Sequence, residues 1–110
     1  MAALLLCPSV AGGHTFPLHA DPRVGSTVNG TPSEVRIWFD GEIEPVFSTI
    51  RVENAEKQRV DTGDGGVSPQ DRRLLTVRVA PLPPGKYRVF WSVIARDGHR
   101  TEGDHPFRVK

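Results

Sequence analysis

The stretch "GKYRVFWSVIA", Gly85 to Ala95, decides the fold. Tyr87, Val89, Trp91 and Val93 recur at every second position, the period of a β-strand with one buried face. Phe90 and Ile94 make the other face partly apolar as well, which suits a strand in the interior of a sheet rather than at its edge. Upstream, "PLPPG" forces a turn. Downstream, "RDGHRTEGD" reads as a cluster of turn-forming residues.

Working outward, the same alternation recurs. "SEVRIWFD" (33–40) sets Val35, Ile37 and Phe39 against Glu34, Arg36 and Trp38, and "STIRVEN" (48–54) sets Ile50 and Val52 against Arg51 and Glu53. "LLTVRVA" (74–80) carries Leu75, Val77 and Val79 on one face, and "HPFRVK" (105–110) ends the chain with Phe107 and Val109 in alternation. Turn signals separate them: "NGTPS", "DGE" and "DTGDGGVSPQD". No segment sustains a 3.6-residue period and no internal repeat is visible. Short strands at this spacing predict one all-β domain, an immunoglobulin-like β-sandwich or a small barrel. The Gly- and Asp-rich loop from Asp61 to Asp71 is expected to be its most mobile interior segment.

Composition bounds the function. A chain of 110 residues suffices for one modest core. Fourteen Lys and Arg against thirteen Asp and Glu leave a net charge of +1 with no block of one sign, which argues against nucleic acid as the main partner. No stretch approaches the roughly 20 apolar residues that span a bilayer, so direct membrane insertion is not expected.

Residues 1–13, "MAALLLCPSVAGG", differ from all that follows: uncharged, apolar from Ala2 to Cys7, then small. They resemble the back part of a secretory signal, with Ala11 and Gly13 at the small-residue positions before a cleavage point. The expected domain is then 14–110, and cleavage after Gly13 gives His14 a free α-amine and leaves no cysteine. A second reading makes Cys7 a lipid-modified residue, in which case His14 stays internal.

The chain lacks a serine or cysteine nucleophile motif, a glycine-rich phosphate loop, a CxxC pair and an HExxH helix. Its candidate chemistry lies in four histidines, His14, His19, His99 and His105. In "RDGH" Asp97 and His99 are two apart, so in extended backbone they project from one side, and carboxylate with imidazole suits a borderline transition metal. "DG" is equally a strong turn signal, and on the residues alone a bare hairpin beside a solvated His99 is the first reading. His105 shares parity with Phe107 and Val109 and reads as partly packed at a strand start, which argues against a ligand role there. His19 reads as a surface residue ahead of the turn-forming "ADPRVGS", and Trp38 and Trp91 as packing residues.

Taken together, the N-terminal His, "DPRVGSTV", the F-x-x-x-I-E-P-x-F-S run from Phe39 to Ser48, "PPGKYRVFWSV", and "DGH" followed by G-x-x-x-F-x-V resemble the CopC family of periplasmic copper-resistance proteins over essentially all of residues 14–110. The resemblance implies a Greek-key, cupredoxin-like β-sandwich related to the immunoglobulin architecture. It also implies one Cu(II) per chain, held by the amine and imidazole of His14 with Asp97 and His99, and used for copper resistance, buffering or delivery without catalysis. Such a nitrogen-rich N,O set is what Cu(II) prefers. His19 is assigned an outer-shell role at most.

Met1 is the only methionine, so the methionine-rich Cu(I) site of some family members is not expected. A periplasmic monomer that hands copper to a CopD-like membrane transporter completes the implied picture. Two alternatives remain open: a copper monooxygenase with an N-terminal histidine brace, and a metal-free immunoglobulin-like interaction module.

Overall fold

A computed structural model describes residues 15–110. Eight strands form two four-stranded sheets: β1 (Pro17–Asp21), β2 (Thr27–Val28), β3 (Glu34–Phe39), β4 (Ile43–Asn54), β5 (Gly66–Ser68), β6 (Asp71–Arg78), β7 (Gly85–Ala95) and β8 (Arg100–Val109). The strand order is β1-β3-β6-β5 in the first sheet and β2-β8-β7-β4 in the second. This is the expected all-β sandwich in one domain, and β7 is interior to its sheet as its two apolar faces require. Among the described residues no helix is long and apolar enough to cross a membrane.

The alternation read from the sequence is the core. Val35, Ile37 and Phe39 face inward from β3, paired with Val77 and Leu75 of β6, and meet Ile50, Val52, Val89, Trp91 and Val93 of the second sheet. Burying a side chain of this size stabilises the fold by about 1.5–3 kcal/mol. Trp91 packs edge-on to Phe39, with ring centroids 5.2 Å apart. Gly103 is its partner across the β7–β8 ladder. A methyl group on Gly103 would stand 2.5 Å from Trp91 Cζ2, so the indole occupies the space that the glycine leaves.

Four features depart from the sequence expectation. The last strand begins at Arg100 rather than His105, so most of "RDGHRTEGD" is strand and only residues 96–99 form the turn. The Asp61–Asp71 loop contains β5 and is pinned by Asp61, whose carboxylate accepts hydrogen bonds from the amides of Val52 (2.9 Å) and Gly63 (2.8 Å) and from Arg59 Nε. β1 was not legible, because only Ala20 of its residues is buried.

The fourth is in β4, which begins at Ile43 but is broken by a bulge between Glu44 and Thr49. Within the bulge Phe47 takes a left-handed φ of 68° and stays 75% exposed. Buried Ser48 repairs the ladder: its hydroxyl donates to the Glu44 carbonyl (2.6 Å) and accepts from the Ile94 amide (3.0 Å).

Candidate metal centre

Asp97, Gly98 and His99 form the tip between β7 and β8. The turn closes through the Ala95 amide to the His99 carbonyl and the Gly98 amide to the Ala95 carbonyl, both 2.9 Å. Gly98 has φ +93°, a conformation that side chains other than hydrogen rarely adopt. The turn read from "DG" is therefore real. Asp97 and His99 do not meet by the strand alternation expected from their spacing; they meet through the turn.

The Asp97 carboxylate grips His99 twice. Oδ1 accepts the His99 amide at 3.1 Å, and Oδ2 lies 2.8 Å from His99 Nδ1. An Nδ1–H donated to this carboxylate leaves the lone pair of the imidazole on Nε2, the tautomer that a metal-binding histidine with a carboxylate behind it takes. Both side chains are exposed. The His99 amide, followed by its ring, holds the Asp97 carboxyl below the usual carboxylate range, so it is anionic at neutral pH.

Beside the turn lies an open cleft of about 320 Å³, lined among others by Thr15, Gly41, Arg96 and Asp97. Three contacts hold it. The Phe16 amide donates to Asp40 Oδ1 and the Asp40 amide to the Phe16 carbonyl, both at 2.9 Å. Arg96 pairs with Glu42 at 3.5 Å. A Cβ on Gly41 would stand 3.1 Å from Thr15 Oγ1, so the close approach of buried Thr15 uses the missing side chain. The chain entering β1 is thereby fastened beside Asp97. The sequence shows "DGE" only as a turn; that Asp40 and Gly41 build this wall is not legible there, because the contact joins segments remote in the chain.

The other candidates are placed as follows. His14 and the leader 1–13 lie outside the described residues. His19 is exposed on β1, its ring stacked on Trp38 at 4.3 Å and 16°, with the Arg36 guanidinium 5.7 Å from the Trp38 centroid. Trp38 thus packs on the outer face of the first sheet, whereas Trp91 is core. His105 is buried opposite Val89, with burial first and then Arg88 lowering its pKa and Asp104 opposing; its Nε2 has no hydrogen-bond partner among the described residues. Its inward parity is as expected, but it is buried in the middle of β8 rather than partly packed at a strand start. Among the described residues no group of three or more His, Cys, Asp or Glu side chains is arranged to hold a metal ion.

The CopC domain family model matches residues 18–110. Protein YobA of Escherichia coli (strain K12) is 32% identical over 107 residues, 96% of this chain and 86% of YobA. Copper transport protein CutJ of Bacillus subtilis (strain 168) is 29% identical over 96% of this chain, but the chain spans only 20% of CutJ. Among solved structures, CopC from Methylosinus trichosporium OB3b superposes with a TM-score of 0.78 at 30% identity, covering 88% of this chain and 94% of that one. PcoC, a methionine-rich copper resistance protein from Escherichia coli, gives 0.73 at 25% identity, covering 88% and 99%.

Proposed function

Because this chain belongs to the CopC domain family, we propose that it is an extracytoplasmic copper-resistance protein whose cargo is one Cu(II) ion, bound by the α-amine and imidazole of His14 together with Asp97 and His99. The observation that carries the reading is the cleft that joins Thr15 to Asp97. His14 is the chain neighbour of Thr15, and on this reading the donors of a processed N-terminus meet the turn that carries Asp97 and His99.

The chemistry of the donor set fits. An amine and two imidazole nitrogens with one carboxylate oxygen make a tetragonal N,O environment, suited to Cu(II). Asp97 supplies the one carboxylate oxygen and the only anionic charge of the donor set, so a bound Cu(II) keeps net positive charge and the site tolerates exposure. Two donors on one residue lower the entropy lost on assembly. With Met1 the single methionine, the chain has no thioether set for Cu(I), in contrast to PcoC, which is described as methionine-rich. Copper release to a membrane transporter of the CopD kind follows the same reading, supported by CutJ, a copper transport protein of which this chain matches one part. The protein acts in the periplasm, as a monomer and without catalysis.

The experiment is Cu(II) titration of a chain beginning at His14, beside one that retains residues 1–13, with electron paramagnetic resonance of the 1:1 complex. Tight binding of one equivalent with a nitrogen-rich tetragonal signal only in the His14-first chain is expected. Equal weak binding by both would overturn the site and the processing together.

A further inference from the structure

We propose that the outer face of the second sheet carries a second, metal-independent binding site, for a small organic anion that joins a phosphate or carboxylate group to a flat apolar part. The groove holds about 560 Å³, within the range of small-molecule sites. It is lined by Lys57, Lys86, Arg88 and Arg108, with Glu53 the only carboxylate among its lining residues. Two of these charges are already engaged: Arg88 with Asp104 at 2.6 Å and Glu53 with Arg51 at 3.0 Å. Lys57, Lys86 and Arg108 make no ion pair among the described residues. The whole chain carries only +1, so three uncommitted cations around one concavity are a local concentration of charge that focuses on an anion.

The floor supplies the apolar half. Phe90 and Pro106 line the groove. Phe90 is only half-buried, with Arg51 stacked over one face of its ring at 4.3 Å, so an aromatic edge remains where the outside of a sheet is usually polar.

Both walls are tied down. On one side the Gly25 amide donates to the Pro106 carbonyl at 2.8 Å and the Arg108 amide to the Ser26 carbonyl at 2.9 Å. On the other, Asn54 Oδ1 accepts the amides of Glu56 (3.0 Å) and Gln58 (2.9 Å), and Lys57 between them is held at φ 64°. A lysine kept in the left-handed region at the rim of a cationic groove is backbone strain at a candidate ligand position. The groove uses the first half of β7 and the Asp97 turn follows its end. At about 3.3 Å per residue, the five steps from Phe90 to Ala95 separate the two by about 17 Å, so the copper reading and this one stand or fall independently.

The test is an amide NMR titration of the ¹⁵N-labelled chain with 1-naphthyl phosphate, with 1-naphthoate, inorganic phosphate and neutral 1-naphthol run in parallel. Saturable shifts at Thr27, Lys86, Arg88, Phe90 and Arg108 are expected, with 1-naphthyl phosphate or 1-naphthoate binding at least about tenfold more tightly than inorganic phosphate or 1-naphthol. The two naphthyl anions tell a phosphate site from a carboxylate site. The double substitution Lys86→Glu and Arg108→Glu lies at exposed side chains, and it should weaken binding at least about tenfold with the rest of the spectrum unmoved. Lys57→Glu alone is the second variant and should weaken it by a smaller factor. Shifts that scatter over the surface without saturating, equal binding of 1-naphthol, or unchanged affinity in both variants would overturn the proposal.

Discussion

The Asp97 carboxylate and the His99 imidazole are locked together at 2.8 Å, with the same carboxylate also accepting the His99 amide. Side chain and backbone of one residue are thus oriented by a single neighbour two positions away. In the proposed copper site this gives the two residues unequal roles. His99→Ala removes a nitrogen donor, whereas Asp97→Asn keeps the shape and removes the anionic oxygen donor. Each should weaken Cu(II) binding by at least about tenfold, about 1.4 kcal/mol, and His99→Ala by more, measured by competition against a chelator of known affinity. Retained affinity in His99→Ala would remove that residue from the site.

Gly103 and Trp91 make a second pair whose chemistry is steric. A methyl group at Gly103 meets the indole at 2.5 Å, and the ring is held on its other side by Phe39. Gly103→Ala should therefore lower stability by about 1–3 kcal/mol, the range of an overpacked core. The measurement is denaturant unfolding followed by tryptophan emission and near-ultraviolet circular dichroism. An unaltered midpoint with an unaltered near-ultraviolet spectrum would mean that the site is roomier than this.

His105 makes stability depend on pH. Burial, reinforced by Arg88, pushes its pKa below the ordinary value of 6.5. The unfolded chain therefore binds a proton more readily than the folded one. The sign follows: stability is fully present above the unfolded value, declines as pH falls below about 6.5, and stops declining once pH passes below the depressed folded value. His105→Leu, which cannot titrate, should flatten this part of the profile, as seen in unfolding free energies between about pH 7 and 5. A wild-type slope that survives the substitution would assign it to another group.

Asp61 pins the loop after β4. Burial alone would raise its pKa, but hydrogen bonds from Arg59 and from the Val52 and Gly63 amides outweigh that and hold it below normal. Asp61→Ala strands the Val52 amide at the outer edge of β4, and Asp61→Asn keeps the shape with a weaker acceptor. We expect a loss of about 2–3 kcal/mol for the alanine, the scale of a charged hydrogen bond with its partner left unsatisfied, and less for the asparagine. Hydrogen exchange at Val52 and Gly63 reads the local effect, and unchanged protection in Asp61→Ala would show that other contacts carry the loop.

The strands with one buried face were legible from the residues, because side-chain parity is a local property: Val35, Ile37 and Phe39, or Val89, Trp91 and Val93, alternate whatever their partners are. The same parity turns His105 inward, though not its full burial, and the turn at Asp97 is visible from "DG". What parity does not carry was missed. β1 sits at a sheet edge with mostly exposed residues, and Arg100 to Asp104 is strand although polar, because β7 supplies its hydrogen-bonding partner. The tertiary structure alone decided that the segment at Thr15, the Asp40–Glu42 loop and the Asp97 turn share one end of the sandwich, and that basic residues from β7, β8 and the turn after β4 share one groove. Those neighbours are set by strand order and register, which depend on pairing between segments tens of residues apart. A local pattern of apolar and polar residues carries no term for that pairing.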